Sequence, residues 1–172
     1  ALGIASVDSA ARVCHAPSTV ALKQTMGVAA STCSLQDVIE SDLIVIWGAN
    51  PANNQPVFTK YLYLAKRRGC RVVVVNPYLE PGLDRYWVPS NAESAVFGTK
   101  ICDLHVPVRP GGDVALANAA LKVLLARGDV DRSFIEAHTT GFDDLVAALD
   151  AQDLADLLQQ AGVTRAQLDA FV

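Results

Sequence analysis

Three short runs of this chain bring together side chains and turns suited to a long, polar ligand. They are Gly48–Ala49–Asn50–Pro51–Ala52–Asn53–Asn54, Asn76–Pro77–Tyr78 and Arg109–Pro110–Gly111–Gly112–Asp113. The Gly48-x-Asn50-Pro51 turn exposes backbone amides, and the carboxamides of Asn50, Asn53 and Asn54 supply both donors and acceptors. Amides at turns and helix N-termini favour anionic groups such as phosphate. Asp113 adds a carboxylate that can accept two N–H bonds from the N1 and N2 edge of guanine, a pattern adenine does not offer. The chemistry implied is recognition of a nucleotide-like, pyrophosphate-bearing ligand. A second reactive pair is Cys14–His15, a thiol beside an imidazole. By residue type alone nothing clusters with either, and lone residues of these kinds are usually structural.

These runs sit where strands end. Leu43–Trp47 is an unbroken apolar run rich in β-branched residues, the pattern of a strand covered on both faces. It breaks at Gly48 and leads to Pro56, which suits the first position of a helix through Arg68. Val57, Tyr61 and Leu64 fall on one face of that helix. Lys66, Arg67 and Arg68 compensate its C-terminal dipole, and Gly69 closes it. Arg71–Val75 is a second buried strand ending at Asn76–Pro77, and the two make a βαβ unit with parallel strands. Cys102–Val108 reads as a third strand, with Asp113 placed to N-cap a helix running to Arg127. In a parallel sheet the three strand ends share one edge, where open α/β sheets bind their ligands. The fold class is therefore α/β, a Rossmann-like open parallel sheet with helices on both faces. The nicotinamide fingerprint G-x-G-x-x-G is absent, and Asn76 stands where an acidic residue would end the second strand, against an ordinary NAD dehydrogenase.

The remaining segments read as scaffold. Ala1–Val13 is loop, Ser18 caps a helix through Met26 stopped by Gly27, and Ser34-x-x-Asp37 starts a short helix. Tyr78–Thr99 is a long irregular excursion in which Asp84, Arg85, Tyr86 and Trp87 are candidates to face a ligand or a neighbouring domain. From Val130 onward the chain is helical, with Thr164–Gln167 as a capping box. The reading is one α/β domain over 1–172, with a nucleotide-binding core at 1–130 and a helical extension at 131–172.

Bulk properties remove several classes. The chain has 172 residues and a net charge of −4, so no basic surface points to nucleic acid. No apolar run reaches the ~20 residues needed to span a bilayer, and the N-terminus lacks the pattern of a signal peptide. The expected setting is cytoplasmic. Without an initiator Met, and ending inside a helical pattern, the chain reads as a fragment of a larger multidomain enzyme. Cys14, Cys33, Cys70 and Cys102 are dispersed, so a zinc or Fe–S site held by this segment alone is not expected. Cys70 and Cys102 read as buried small hydrophobes.

Taken in order, Cys14–His15–Ala16–Pro17–Ser18, Asp42–Leu43–Ile44–Val45–Ile46–Trp47–Gly48–Ala49–Asn50–Pro51, Arg67–Arg68–Gly69–Cys70–Arg71 into Val72–Val75–Asn76–Pro77, and Arg109–Pro110–Gly111–Gly112–Asp113–Val114–Ala115–Leu116 resemble molybdopterin-dependent oxidoreductases, in particular formate dehydrogenase-like alpha subunits. The resemblance runs from about Ala11 to the end. It implies a molybdenum or tungsten ion held by two molybdopterin guanine dinucleotides (bis-MGD), one of them on the domain seen here. It places Cys14 as metal ligand and His15 as the neighbour handling the substrate proton. Gly48, Asn50, Asn53, Asn54, Asn76, Pro77, Gly111 and Asp113 match positions lining the guanine dinucleotide. Further implications are a small substrate such as formate, the remaining domains of the same polypeptide, a possible electron-transfer subunit, and a possible 4Fe–4S cluster outside this fragment. The family often has Asp-Pro-Arg where this chain has Asn76–Pro77–Tyr78, so an arginine facing the pyrophosphate is missing and Arg85 is the substitute to examine. The rival readings are a non-catalytic nucleotide-binding or structural subunit of a redox complex, and a nucleotide-binding module unrelated to pterins.

Overall fold

The computed structural model describes residues 3–89 and 91–172. Contacts group the chain into two compact units, Ala1–Asp37 and Val38–Val172. The first holds α1 (Ala11–Cys14), α2 (Ala16–Met26) and the beginning of α3 (Leu35–Glu40). The second continues with β1 (Leu43–Trp47), the single turn α4 (Pro51–Asn54), α5 (Phe58–Arg67), β2 (Arg71–Val75), α6 (Pro81–Asp84), β3 (Arg85–Tyr86), α7 (Ala92–Phe97), β4 (Thr99–Lys100) and β5 (Leu104–Val106). It ends in α8 (Asp113–Arg127), α9 (Arg132–His138), α10 (Phe142–Asp150), α11 (Leu154–Ala161) and α12 (Arg165–Phe171).

The main sheet has the order β1-β2-β5, parallel throughout, beside a small antiparallel pair β3-β4. Trp47 pairs with Val75 and Val75 with Val106, so the carboxyl ends of all three strands stand level. β2 is the central strand, and alternation sends its residues to two separate cores. Val73 and Val75 join Val106, Val108, Leu116, Ala119, Leu157, Ala161 and Leu168 on one face. Val72 and Val74 join Ile46, Leu62, Leu83, Ile101 and Cys102 on the other. Each fully buried Val or Leu contributes about 1.5–3 kcal/mol of transfer free energy, which is why the strand is apolar throughout Val72–Val75, its buried part. Helices thus cover both faces, as the α/β reading requires. The helices after residue 150 cover one face of the sheet themselves, since α11 and α12 supply core residues alongside β2 and β5.

Several expectations are corrected. β1 lies at the sheet edge and is covered on one face only: Ile46 is buried, whereas Leu43, Val45 and Trp47 remain 55%, 41% and 37% exposed. The third strand is shorter than Cys102–Val108. Ile101 and Cys102 donate their N–H groups to Asp84 and Leu83, outside the main sheet, and Pro107 has no N–H to offer. α5 buries Thr59, Leu62 and Ala65 rather than the Val57, Tyr61, Leu64 face, and Val57 is 73% exposed. The hydroxyl of Thr59 donates to the Pro56 carbonyl at 2.6 Å, which lets a polar residue sit inside. In the first unit, residues 11–14 are a helical turn rather than loop, and α2 starts at Ala16, with Pro17 rather than Ser18 at its opening. Proline fits that first turn because its missing N–H would have no partner there. The stop at Gly27, the Ser34–Asp37 start and the Thr164–Gln167 capping box are as the sequence reads.

One partly exposed ion pair ties α5 to the sheet. The Lys66 ammonium and the Val72 N–H both donate to Oδ2 of Asp103. Burial pushes the Asp103 carboxyl up, but the Lys66 hydrogen bond, the Val72 N–H and the nearby Lys66 and Lys100 charges outweigh it and hold the acid below its usual range. A carboxyl depressed in the folded state adds stability above its unfolded pKa and loses it as pH falls through the folded one. Asp103→Asn is therefore expected to cost about 1 kcal/mol at pH 7 and to flatten the acid limb of the stability profile below about pH 4. Urea midpoints measured from pH 7 to pH 3 check this; a variant with the same acid limb as the parent would contradict it.

Candidate functional site

The rim at the carboxyl end of the sheet is built from the three predicted loops. Gly48 follows β1, and its N–H still reaches the Val75 carbonyl at 2.9 Å, so the chain leaves the sheet one residue beyond Trp47. It leaves with Gly48 at φ 61°, a left-handed conformation that costs a residue with a Cβ. Asn50 precedes α4, and its carbonyl accepts the N–H groups of Asn53 and Asn54 at 3.1 and 3.2 Å. Asn53 and Asn54 are exposed, whereas Oδ1 of Asn50 is buried without a hydrogen-bond partner among the described residues. An orphaned buried acceptor costs about 1–3 kcal/mol, so it marks a place where a donor belongs. Close by, a Cβ built on Gly82 would stand 2.4 Å from the Ala52 Cβ and 3.6 Å from Asn50 Oδ1, so the absence of a side chain there keeps the α4 turn seated.

Asn76 continues β2, its N–H donating to Val106 O at 3.2 Å. Its side-chain amide donates to the Tyr78 carbonyl at 2.8 Å, and its own carbonyl meets His105 Nε2 at 2.8 Å. His105 thus pins the second loop. Pro77 and Tyr78 are exposed beyond it.

The third loop turns through Gly111, at φ 83°, and Gly112. Asp113 is the first residue of α8, not its cap; the cap position is Gly112, which offers no side chain. The Asp113 carboxylate instead crosses the rim, where Oδ1 accepts the Trp47 indole N–H at 2.7 Å. The end of β1 and the third loop are thereby in direct contact. The Asn76 loop lies between them in strand order. Arg85, the substitute arginine, donates to the Phe97 carbonyl at 2.9 Å, within the β3–β4 excursion. Sequence reasoning named every rim loop but missed Trp47 and His105. Trp47 has one sequence signal, a polar-tipped aromatic as the last residue of an otherwise aliphatic strand.

Cys14 and His15 belong to the first unit. Cys14 is exposed at the last position of α1, and His15 occupies the N-cap of α2, its carbonyl accepting the Thr19 N–H at 2.9 Å. Cys70 and Cys102 are buried, and burial pushes both thiols up, which makes them inert. Among the described residues no group of three or more His, Cys, Asp or Glu is arranged to hold a metal ion. A cleft of about 500 Å³ between α9 and α10 shares no residue with the rim. Its Glu136, Asp143 and Asp144 carboxylates would repel a pyrophosphate, and its Arg132 is committed to the Phe142 ring at 4.9 Å.

A family model described as molybdopterin oxidoreductase matches residues 2–162. Protein YdeP of Escherichia coli (strain K12) is 30% identical over 168 residues, covering 91% of this chain and 22% of the relative. Formate dehydrogenase H of the same organism is 29% identical over 143 residues, covering 83% of this chain and 18% of the relative. The chain thus spans about a fifth of the length of these curated relatives. Acetylene hydratase from Pelobacter acetylenicus shares the fold, with a TM-score of 0.55 at 19% identity, over 76% of this chain and 16% of that one. On the match spanning residues 2–162, the chain belongs to the molybdopterin oxidoreductase family.

Proposed function

We propose that this chain is the guanine-dinucleotide-binding portion of a molybdenum or tungsten oxidoreductase of the formate dehydrogenase type, with Cys14 as a protein ligand to the metal. The observation that carries the reading is the rim itself: an orphaned buried acceptor on Asn50 and a free carboxylate oxygen on Asp113, at level strand ends, in a member of a family that uses molybdopterin. These residues fit a guanine dinucleotide. Asn50 Oδ1 would take a donor from the ligand, the Gly48 and Gly111 turns would present amides to the pyrophosphate, and Asp113 would read the guanine N1–H and N2–H. Asn53, Asn54, Asn76 and Pro77 would line the length of the ligand.

When bound, the metal supplies two-electron redox chemistry. The chain's own contribution is placement. A thiolate is the ligand type suited to completing the shell of such a metal, and Cys14 is exposed and therefore available for it. A single thiol is no metal site by itself, so the assignment requires the metal to arrive already held by its pterins. His15 would accept the proton released from a small substrate such as formate, since imidazole is the side chain that changes charge near neutral pH. The remaining domains, a possible 4Fe–4S cluster and a possible electron-transfer subunit would lie outside this segment, and the segment alone would not turn over.

Two measurements test the proposal. The full-length protein should contain Mo or W and pterin after purification; absence of all three would overturn it. In calorimetry the 172-residue chain should bind GDP in preference to ADP, and Asp113→Asn should weaken GDP about ten-fold, because one acceptor oxygen becomes an amine facing guanine's donors. Equal affinity for the two nucleotides would remove guanine recognition from the reading.

A further inference from the structure

We infer that Trp47 is a specificity-determining positioning residue, which holds the Asp113 carboxylate in the orientation that reads guanine. The inference rests on the guanine-binding reading above and adds to it a residue that touches no nucleotide in that scheme.

The geometry comes from opposite ends of the site. Trp47 is the last residue of β1, and its indole lies on the incompletely covered face of that edge strand. Phe171 of α12 approaches it edge-on, with ring centroids 6.1 Å apart at 71°, which fixes the ring plane. With the ring fixed, the indole N–H has one direction, and it meets Oδ1 of Asp113 at 2.7 Å across 66 residues of sequence separation. That distance is short for an N–H donor and belongs to the charge-assisted class.

Asp113 needs such a restraint. As the first residue of α8 it has a short side chain with free N–H groups of its own helix nearby, and Gly112 before it leaves those groups uncapped. An unrestrained carboxylate at such a position folds back onto the helix N-terminus and is lost to the ligand. Indole is a donor only, so it cannot be satisfied by rotating the pair, and it requires an acceptor at that point. Each carboxylate oxygen has two acceptor sites. After Trp47 takes one site on Oδ1, a second remains there and both remain on Oδ2. The two oxygens can still accept N1–H and N2–H side by side. Adenine would set its N1 lone pair against the same oxygens, so a rigid carboxylate rejects it more strongly than a mobile one.

The chain contains two tryptophans, Trp47 and Trp87, which makes the indole N–H signals easy to assign by substitution. GDP and ADP are titrated into the parent, Trp47→Phe and Asp113→Asn chains by calorimetry, and the indole signals are followed by NMR. Trp47→Phe should lose about five-fold in GDP affinity, the ~1 kcal/mol of one ordinary hydrogen bond, since the lost bond orients the acceptor rather than touching the ligand, with ADP bound slightly tighter and the thermal midpoint near that of the parent. In the parent, the Trp47 indole N–H should shift on adding GDP and not ADP, and it should move upfield in Asp113→Asn without nucleotide. Full GDP affinity and preference in Trp47→Phe, with both lost in Asp113→Asn, would overturn the role of Trp47 and leave guanine recognition by Asp113 standing. A parent chain indifferent to the base would overturn both. Should Trp47→Phe fail to fold, the parent NMR titration decides: a Trp47 signal unmoved by bound GDP overturns the inference.

Discussion

Turnover of the full-length protein is expected to fall by more than about 100-fold on Cys14→Ala, beyond the 10–100-fold that losing an outer-shell partner of a metal costs. The guanine-nucleotide affinity of the 172-residue chain should be unchanged, because Cys14 is none of the residues assigned to the dinucleotide. That contrast gives the test its force: a single substitution removes the proposed metal ligand and no proposed nucleotide contact. X-ray absorption at the metal edge of the loaded full-length protein should lose one sulfur neighbour. Unchanged turnover would favour the reading as a non-catalytic subunit. No folding penalty should confuse the result, since the thiol is exposed and no residue of α1 is buried.

Much of the scaffold was legible because its signals are local. The runs Leu43–Trp47 and Arg71–Val75 are β-branched and bounded by polar residues, and both strands fall within those bounds. Gly128 ends α8 at φ 76°, and Thr164–Gln167 forms the capping box of α12, because each device involves neighbours a few residues apart. What was not legible depends on residues distant in sequence. The apolar content of β1 does not reveal that it is an edge strand, since a central and an edge parallel strand can share a composition. On α5, apolar residues occupy both the 57, 61, 64 stripe and the 58, 62, 65 stripe, so periodicity alone does not choose between them. The sheet chose the second, with a small Ala65 allowing close approach. The same limit applies to the site. Gly48, Asn50, Asn76 and Gly111 were visible as loop residues after strands, and Asp113 as the start of the helix that follows the third. The Trp47–Asp113 bond and the His105–Asn76 contact join elements 66 and 29 residues apart, which no spacing rule reports.

The rim should also be sensitive to a single methyl group. Gly112→Ala is expected to destabilise the chain by about 3 kcal/mol, the upper end of the overpacking range. A Cβ at this position would meet the Ala161 Cα at 2.8 Å, the Gln160 carbonyl oxygen at 2.9 Å and the Arg109 carbonyl oxygen at 3.0 Å. All three are backbone atoms, so no side chain can rotate away, and the end of α11 must move. The Arg109 N–H donates to the Ala161 carbonyl at 2.8 Å and the Gly112 N–H to Arg109 O at 2.8 Å, so displacement there also breaks the turn that delivers Asp113. The backbone conformation is not the cause: Gly112 has φ −87°, open to any residue. Gly111 is the opposite case, with φ 83° and open space around its Cβ direction. Gly111→Ala should therefore cost only about 1 kcal/mol, as left-handed strain without a clash. At roughly 2–4 °C per kcal/mol for a chain of this size, thermal melts should separate the two variants clearly. GDP titration should then show Gly112→Ala binding more weakly than Gly111→Ala, since it is the close packing of the loop against α11 that sets where the carboxylate stands. Equal melting points for the two variants would mean that α11 yields freely, and that the third loop owes its shape to its own glycines alone.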